Sequence, residues 1–367
     1  MVVEVKRVRD TKRNAFCISI KNTHTIELPT MCVYIFWATL MVGKGFGLTN
    51  QDYEFRYMTM AVLVLVFIKI VTSRWSREKL IRSICLGLIG IAVWIRSEET
   101  DILLTMVIII SCKGIDIYKL FRISVYIRAV LFFVRTSLAI LNFADMQPMR
   151  YTRDETGVRY ALGYVHPNTT QYELFVIIAL ILIIWHDRMK LWHFLLVCGY
   201  NLFIFQYTGS RTGAFLTCLV LLLTYLANRS PVNMTRKIIA YFGEYAYIIG
   251  ATVSFLMCLL LDRIPLLQSL GTFSSRFFTG RWVMRHMNLS LFGIPGAATD
   301  LGMISILYGH GMIVFGFFII TMTLLLKKFH RQEQYTEEII GIAYALYNMM
   351  ESSSLSCLMN VMWLFLS

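Results

Sequence analysis

Ionisable side chains are scarce in this 367-residue chain: charged residues make up 16% of it and hydrophobic ones 57%. Soluble domains average about 25% charged and about 45–50% apolar residues, so a soluble globular fold is excluded before any motif is read. Several catalytic signatures are missing as well. No Walker A loop, Gly-x-Ser-x-Gly elbow, His-Glu-x-x-His helix or Rossmann glycine run occurs. ATP hydrolysis, serine-esterase chemistry and zinc proteolysis therefore have no support. The eight cysteines are Cys17 near the N-terminus and seven within apolar runs. They give neither a disulfide framework nor a metal-ligand spacing, and no metal is expected. No internal repeat is apparent, which argues against the mirrored halves of many transporters. The basic N-terminal lead lacks a small-x-small cleavage site, so the apolar run after it reads as an uncleaved span.

What the chain has in abundance is long apolar sequence. Runs fall near 28–43, 57–73, 80–95, 102–112, 123–141, 170–186, 191–207, 213–227, 238–261, 301–326 and 339–366. A span needs roughly 20 residues. The pattern predicts an all-α polytopic membrane protein with about 11 spans, within a range of 10–12. The run 102–112 is short and must tilt or borrow from its flank; the last run is interrupted by Glu351-Ser-Ser-Ser354 and reads as one long helix or two short ones.

The formal charge of +13 invites a nucleic-acid partner, but its distribution points elsewhere. With the N-terminus inside, 22 Lys and Arg fall in inner segments and 11 in outer ones, while acidic residues divide almost evenly. This is the positive-inside bias, and no nucleic-acid partner is expected. Residues 1–27 then form a basic, loosely ordered cytoplasmic tail, and 28–367 one transmembrane helical domain. Its two large loops, 142–168 and 262–300, lie outside. Chemistry is placed there, since loops on a rigid scaffold commonly carry function.

The stretch Thr208-Gly-Ser-Arg-Thr-Gly213 sits between two apolar runs on that outer side. A turn explains the glycines but not Arg211. The second loop adds Arg276, Arg281 and Arg285. A guanidinium keeps its charge and offers a planar fork to two phosphate oxygens, so these four residues are candidates for binding a diphosphate. Arg281 and Arg285 are four apart and share a helix face, and Phe277, Phe278 and Trp282 would let that segment lie in the membrane interface. His166, in Tyr164-Val-His-Pro-Asn168, and Asp300, at the end of the second loop, are the acid–base candidates. Each has a structural alternative at a helix start. Among the intramembrane charges, Arg135 and Glu173 fall at similar depth and are expected to pair; Glu351 needs a partner that the sequence does not identify.

Four stretches together resemble the bacterial O-antigen and capsular polysaccharide polymerases (Wzy-type) and the related O-antigen ligases. They are GYVHPNTTQYELFVIIALI, FQYTGSRTGAFLTCLVLLL, FFTGRWVMRHMNLSLFG and ATDLGMISILYGHGMIVFGFF, in that order over about 160–325. Two departures stand out. Asp300 is followed by Leu301 where the family often has Asn, and Trp282 directly follows Arg281 where related chains vary.

The resemblance implies a GT-C-like architecture in the bacterial inner (cytoplasmic) membrane with an extracytoplasmic active site. It implies a metal-independent glycosyltransferase that joins polyprenyl-diphosphate-linked oligosaccharide donors and acceptors into O-antigen, capsule or exopolysaccharide. The carrier is expected to be undecaprenyl diphosphate; membrane lipids, a chain-length regulator and a flippase are implied partners. Arg211, Arg281, Arg276 and Arg285 would bind the diphosphate, and His166 or Asp300 would act on the acceptor hydroxyl. Ligase-type transfer to another acceptor shares the same donor. Polysaccharide transport and a polyprenyl-phosphate-sugar transferase using Asp52 and Glu54 are the competing readings.

Overall fold

The computed structural model describes residues 4–10, 13–20, 24–48, 52–73, 75–141, 150–153, 157–229, 239, 242–265, 272–297, 299–352 and 355–367. Helices dominate. They are α1 (Leu28–Gly45), α2 (Tyr53–Thr72), α3 (Arg77–Ser97), α4 (Asp101–Ser111), α5 (Ile117–Ile140), α6 (Pro167–Trp185), α7 (Leu191–Thr208), α8 (Arg211–Arg229), α9 (Ala246–Leu260), α10 (Thr272–His286), the short α11 (Gly302–Ser305), α12 (Met312–Arg331) and α13 (Tyr335–Asn348). Among the described residues six helices are long and apolar enough to cross a membrane: α2, α3, α5, α6 with the turn that follows it, α8 and α12. The chain is therefore a helical, polytopic membrane protein.

Helix α6 is the axis of the bundle. Its sequence is apolar all round, as a fully enclosed helix requires, and 72% of its membrane window is buried against 17% for α3. It packs against α5, α7, α8 and α13. Close approach of α8 depends on Gly213, where a Cβ would fall 2.4 Å from Gln171 Cγ and 2.5 Å from the Tyr347 hydroxyl.

Three expectations change. The N-terminal residues form three antiparallel strands, β1 (Glu4–Asp10), β2 (Arg13–Ile20) and β3 (His24–Glu27), not a loose tail. The alternation Phe16, Ile18, Ile20 is the period-2 signal behind β2. The run 301–326 is broken: α11 widens into a π-helical turn (Ile306–His310), and Gly311, at φ 93°, separates it from α12. The final run is α13 followed by irregular chain and a 3₁₀ stretch over Val361–Leu366. That irregular segment is enclosed by protein, with Leu355, Cys357, Leu358, Val361 and Trp363 buried, the condition under which non-helical backbone is tolerated at membrane depth. Short α4 supports it, since Thr105 donates to Leu355 O at 2.8 Å and accepts from Cys357 N at 3.0 Å.

The expected Arg135–Glu173 pair does not form. Arg135 donates to Gly163 O and lies 4.9 Å from the Tyr164 ring centroid. The loop before α6 satisfies it, which leaves Glu173 to Arg128. Because α5 begins at Ile117, Arg128 lies in mid-helix and not in an inner loop. The Arg128 guanidinium grips Glu173 through Nε (2.5 Å) and Nη2, and Nη1 donates to Leu358 O at 2.6 Å. One buried cation thus ties α5 and α6 to the C-terminal segment. Glu173→Gln should lower stability by about 3–5 kcal/mol, because the buried arginine loses its counter-ion. Thermal unfolding in detergent reads this as a lowered midpoint.

Candidate active site at one end of the bundle

The start of α6 is built by its own sequence. His166 is the N-cap in extended backbone (φ −147°, ψ 147°), with Pro167 in the first turn, where its missing N–H costs nothing. His166 Nδ1 accepts from Asn168 N at 3.1 Å. An accepting Nδ1 carries no proton, so the neutral ring holds its proton on Nε2 as a donor. Beside it, the turn between α7 and α8 is made by Gly209, in left-handed conformation (φ 57°) as the C-cap of α7. Ser210 follows, buried, and Arg211 opens α8. The two glycines therefore serve the turn and the helix contact, not the approach of a ligand.

Buried amides hold these helix ends together. Thr208 Oγ1 donates to Gln171 Oε1 (2.9 Å), Gln171 Nε2 to Asn201 Oδ1 (2.6 Å), and Asn201 Nδ2 to Ala214 O (3.1 Å). The chain of bonds runs α7 to α6, back to α7 and on to α8. Unmet amides would be costly at such depth, so the network fixes the position of Arg211 relative to His166.

Between these ends lies a polar cavity of about 420 Å³. Arg159, His166, Asn168, Arg211, Arg276, Asp300 and Glu351 supply its charged and strongly polar side chains. Arg159 stands on strand β5 (Gly157–Tyr160), which pairs with β4 (Arg150–Arg153). It donates to Thr208 O and to Asn168 Oδ1, both at 2.6 Å. Asn168 Nδ2 donates to Glu351 Oε1 at 3.0 Å, and the same oxygen accepts from Arg276 Nη2 at 2.8 Å. Arg276 Nη1 also donates to Met350 O. Arg211 and Asp300 stand apart from this chain. Both are exposed, and neither makes a hydrogen bond or ion pair among the described residues.

Of the candidates read from sequence, His166, Arg211, Arg276 and Asp300 meet in this cavity, from regions up to 134 residues apart in the numbering. Arg281 and Arg285 do not. Both turn to Asp262, Arg281 as a close pair on a buried side chain and Arg285 at 3.9 Å. The hydrogen bond from Arg281 holds the exposed Asp262 carboxyl below the usual carboxylate range. The cause is local: Asp262 follows α9, which packs on α10. Phe277 is buried in a satellite core, while Phe278 and Trp282 are exposed. Asp52 and Glu54 sit at the start of α2 and do not line the cavity. The sequence reading missed Arg159 and saw Asn168 only as a helix starter. The unpaired intramembrane Glu351 was the signal for both Arg276 and Asn168.

Burial holds His166 below the ordinary histidine value; the Arg159 and Arg276 charges add to this, and Asp300 opposes it. The neutral ring therefore persists at pH 7, which the cap requires, since an imidazolium cannot accept from Asn168 N. A rate that depends on this geometry should be flat near neutrality and fall in acid with a midpoint below about 6.5. His166→Asn keeps a good N-cap and removes the ring, so it should lower the rate and abolish that acid limb. A pH–rate profile of the two proteins checks both effects.

Among the described residues no group of three or more His, Cys, Asp or Glu side chains is arranged to hold a metal ion. No protein-family model, curated protein or solved structure matches the chain.

Proposed function

We propose that the chain is a glycosyltransferase that polymerises polyprenyl-diphosphate-linked oligosaccharide repeat units at the outer leaflet of the bacterial inner membrane, with about 11 spans and a GT-C-like arrangement. One observation carries this reading: an exposed arginine and an exposed carboxylate, both without partners among the described residues, share one cavity with two further arginines and a neutral histidine. The sequence resemblance and the positive-inside bias support it.

In this reading the acceptor hydroxyl oxygen attacks the anomeric carbon of the donor sugar. The bond between that carbon and the phosphate oxygen breaks, and the polyprenyl diphosphate leaves with its electron pair. Asp300 takes the hydroxyl proton, because the Nδ1 of His166 is engaged as a cap and its Nε2 already bears hydrogen. His166 donates a hydrogen bond to the substrate. Arg211 supplies the unengaged fork for the diphosphate, and Arg276 and Arg159, held by Glu351, Asn168 and Thr208, supply fixed charge. Ligand binding would not first have to break an ion pair at Arg211.

Purified protein given a lipid-linked repeat unit tests the reading. A ladder of lengthened glycans supports polymerisation. Movement of substrate across a vesicle membrane without lengthening would identify a transporter instead.

A further inference from the structure

The opposite end of α6, about 28 Å from His166 at 1.5 Å per residue, carries two adjoining cavities that the reaction above does not use. The first is an apolar groove of about 340 Å³ between the end of α6 and the start of α7. Ile181, Trp185, Met189, Trp192, Leu196 and Val197 form its walls, with Arg188 and His193 at the rim. The second is a polar cavity of about 680 Å³ whose lining includes Arg188, Lys190 and Arg229. Arg188 and Met189 belong to both, so the two open into one another at this arginine.

The chemistry changes across that junction. On one side stand hydrocarbon walls and two indoles, the side chains favoured where lipid tails give way to headgroups. Trp192 is exposed and stacks on His193 with ring centroids 3.6 Å apart, and that ring accepts from Lys190 N through Nδ1 at 2.8 Å. On the other side stand the cations. Arg188 ends the membrane-crossing segment that α6 begins. It is exposed and makes no hydrogen bond or ion pair among the described residues; the neighbouring Asp187 is 3.1 Å from His186 instead. A free protein or soluble anion would use the cations but leave the groove empty. A neutral lipid would use the groove but not the cations.

We propose that this junction is a binding site for one anionic phospholipid. An acyl chain lies in the groove between α6 and α7, and the headgroup phosphate is taken by Arg188 and Lys190. Basic pockets beside membrane helices select anionic headgroups by this combination of a buried tail and a desolvated charge. The site is independent of the catalytic reading and requires only that the chain spans a membrane.

The test uses the full-length protein in detergent, titrated with phosphatidylglycerol or phosphatidylcholine, with bound lipid counted by native mass spectrometry. Wild-type protein should retain phosphatidylglycerol preferentially. Arg188→Gln with Lys190→Gln should weaken that retention about 30-fold, at about fivefold for each cation removed. Arg82→Gln, which alters a cation on α3, should leave it unchanged. Trp192→Ala should weaken both lipids by removing the groove wall. Equal retention of the two lipids by wild-type protein would overturn the proposal, as would an Arg188/Lys190 variant that folds and binds normally. Displacement of the lipid by inorganic phosphate alone would also overturn it, by showing an anion site that ignores the tail. If the double variant fails to fold, Arg188→Gln alone is expected to show about a fivefold loss.

Discussion

Arg211→Lys is expected to slow glycan elongation about 100-fold, the scale seen when one preorganised donor to a developing charge is lost. The side chain is exposed at the first position of α8 and makes no bond among the described residues. Removing its fork therefore disturbs nothing that holds the bundle together, and protein level and melting temperature should be unchanged. Lysine keeps the charge but offers a compact ammonium in place of two parallel donors. A defect in Arg211→Lys is thus a defect of geometry. The check is an initial rate with a lipid-linked repeat unit, beside a melting curve. Near-normal rates in a folded variant would remove Arg211 from the diphosphate site.

Asp300→Asn is expected to lower the turnover number about 1,000-fold, within the range for loss of a general base. Asparagine preserves size and polarity but cannot take a proton at neutral pH. Since Asp300 has no partner among the described residues, the amide leaves no orphaned charge behind. The loss should appear in kcat with KM for the donor little changed, because the diphosphate is bound by the arginines. Arg211→Lys, which weakens contact with the departing diphosphate, should move both constants. A raised KM with normal kcat in Asp300→Asn would show that this carboxylate binds substrate and moves no proton.

Much of this arrangement was readable from the residues, and the failures have identifiable causes. The expected runs 57–73, 170–186, 191–207 and 213–227 differ from α2, α6, α7 and α8 by a few residues at either end, since a greasy helix between polar caps leaves a strong signal. His166, Arg211, Arg276 and Asp300 stood out because each puts chemistry at the edge of an apolar run. Arg281 and Arg285 looked equivalent to Arg276, but sequence cannot report that Asp262 lies across from them. Depth alone matched Arg135 with Glu173; the structure gives Glu173 to Arg128, because the 161–164 loop folds back and satisfies Arg135 first. The last run reads as hydrophobic throughout. Its chain leaves the helix after Asn348, and neighbours such as Thr105 and Arg128 hydrogen-bond the freed backbone. That is a tertiary effect with no local trace. Glu351 was the exception: an unexplained carboxylate in an apolar run pointed to a partner, and Arg276 and Asn168 are that partner.

The most direct measurement is the release of polyprenyl diphosphate during the reaction of the purified, full-length protein with a lipid-linked repeat unit. One polyprenyl diphosphate should appear for each repeat unit added to the glycan, at rates about 100-fold and about 1,000-fold lower in Arg211→Lys and Asp300→Asn respectively. Absence of both lengthened glycan and released diphosphate from folded wild-type protein, with lipid-linked substrate present, would contradict the assignment of this cavity to glycan transfer.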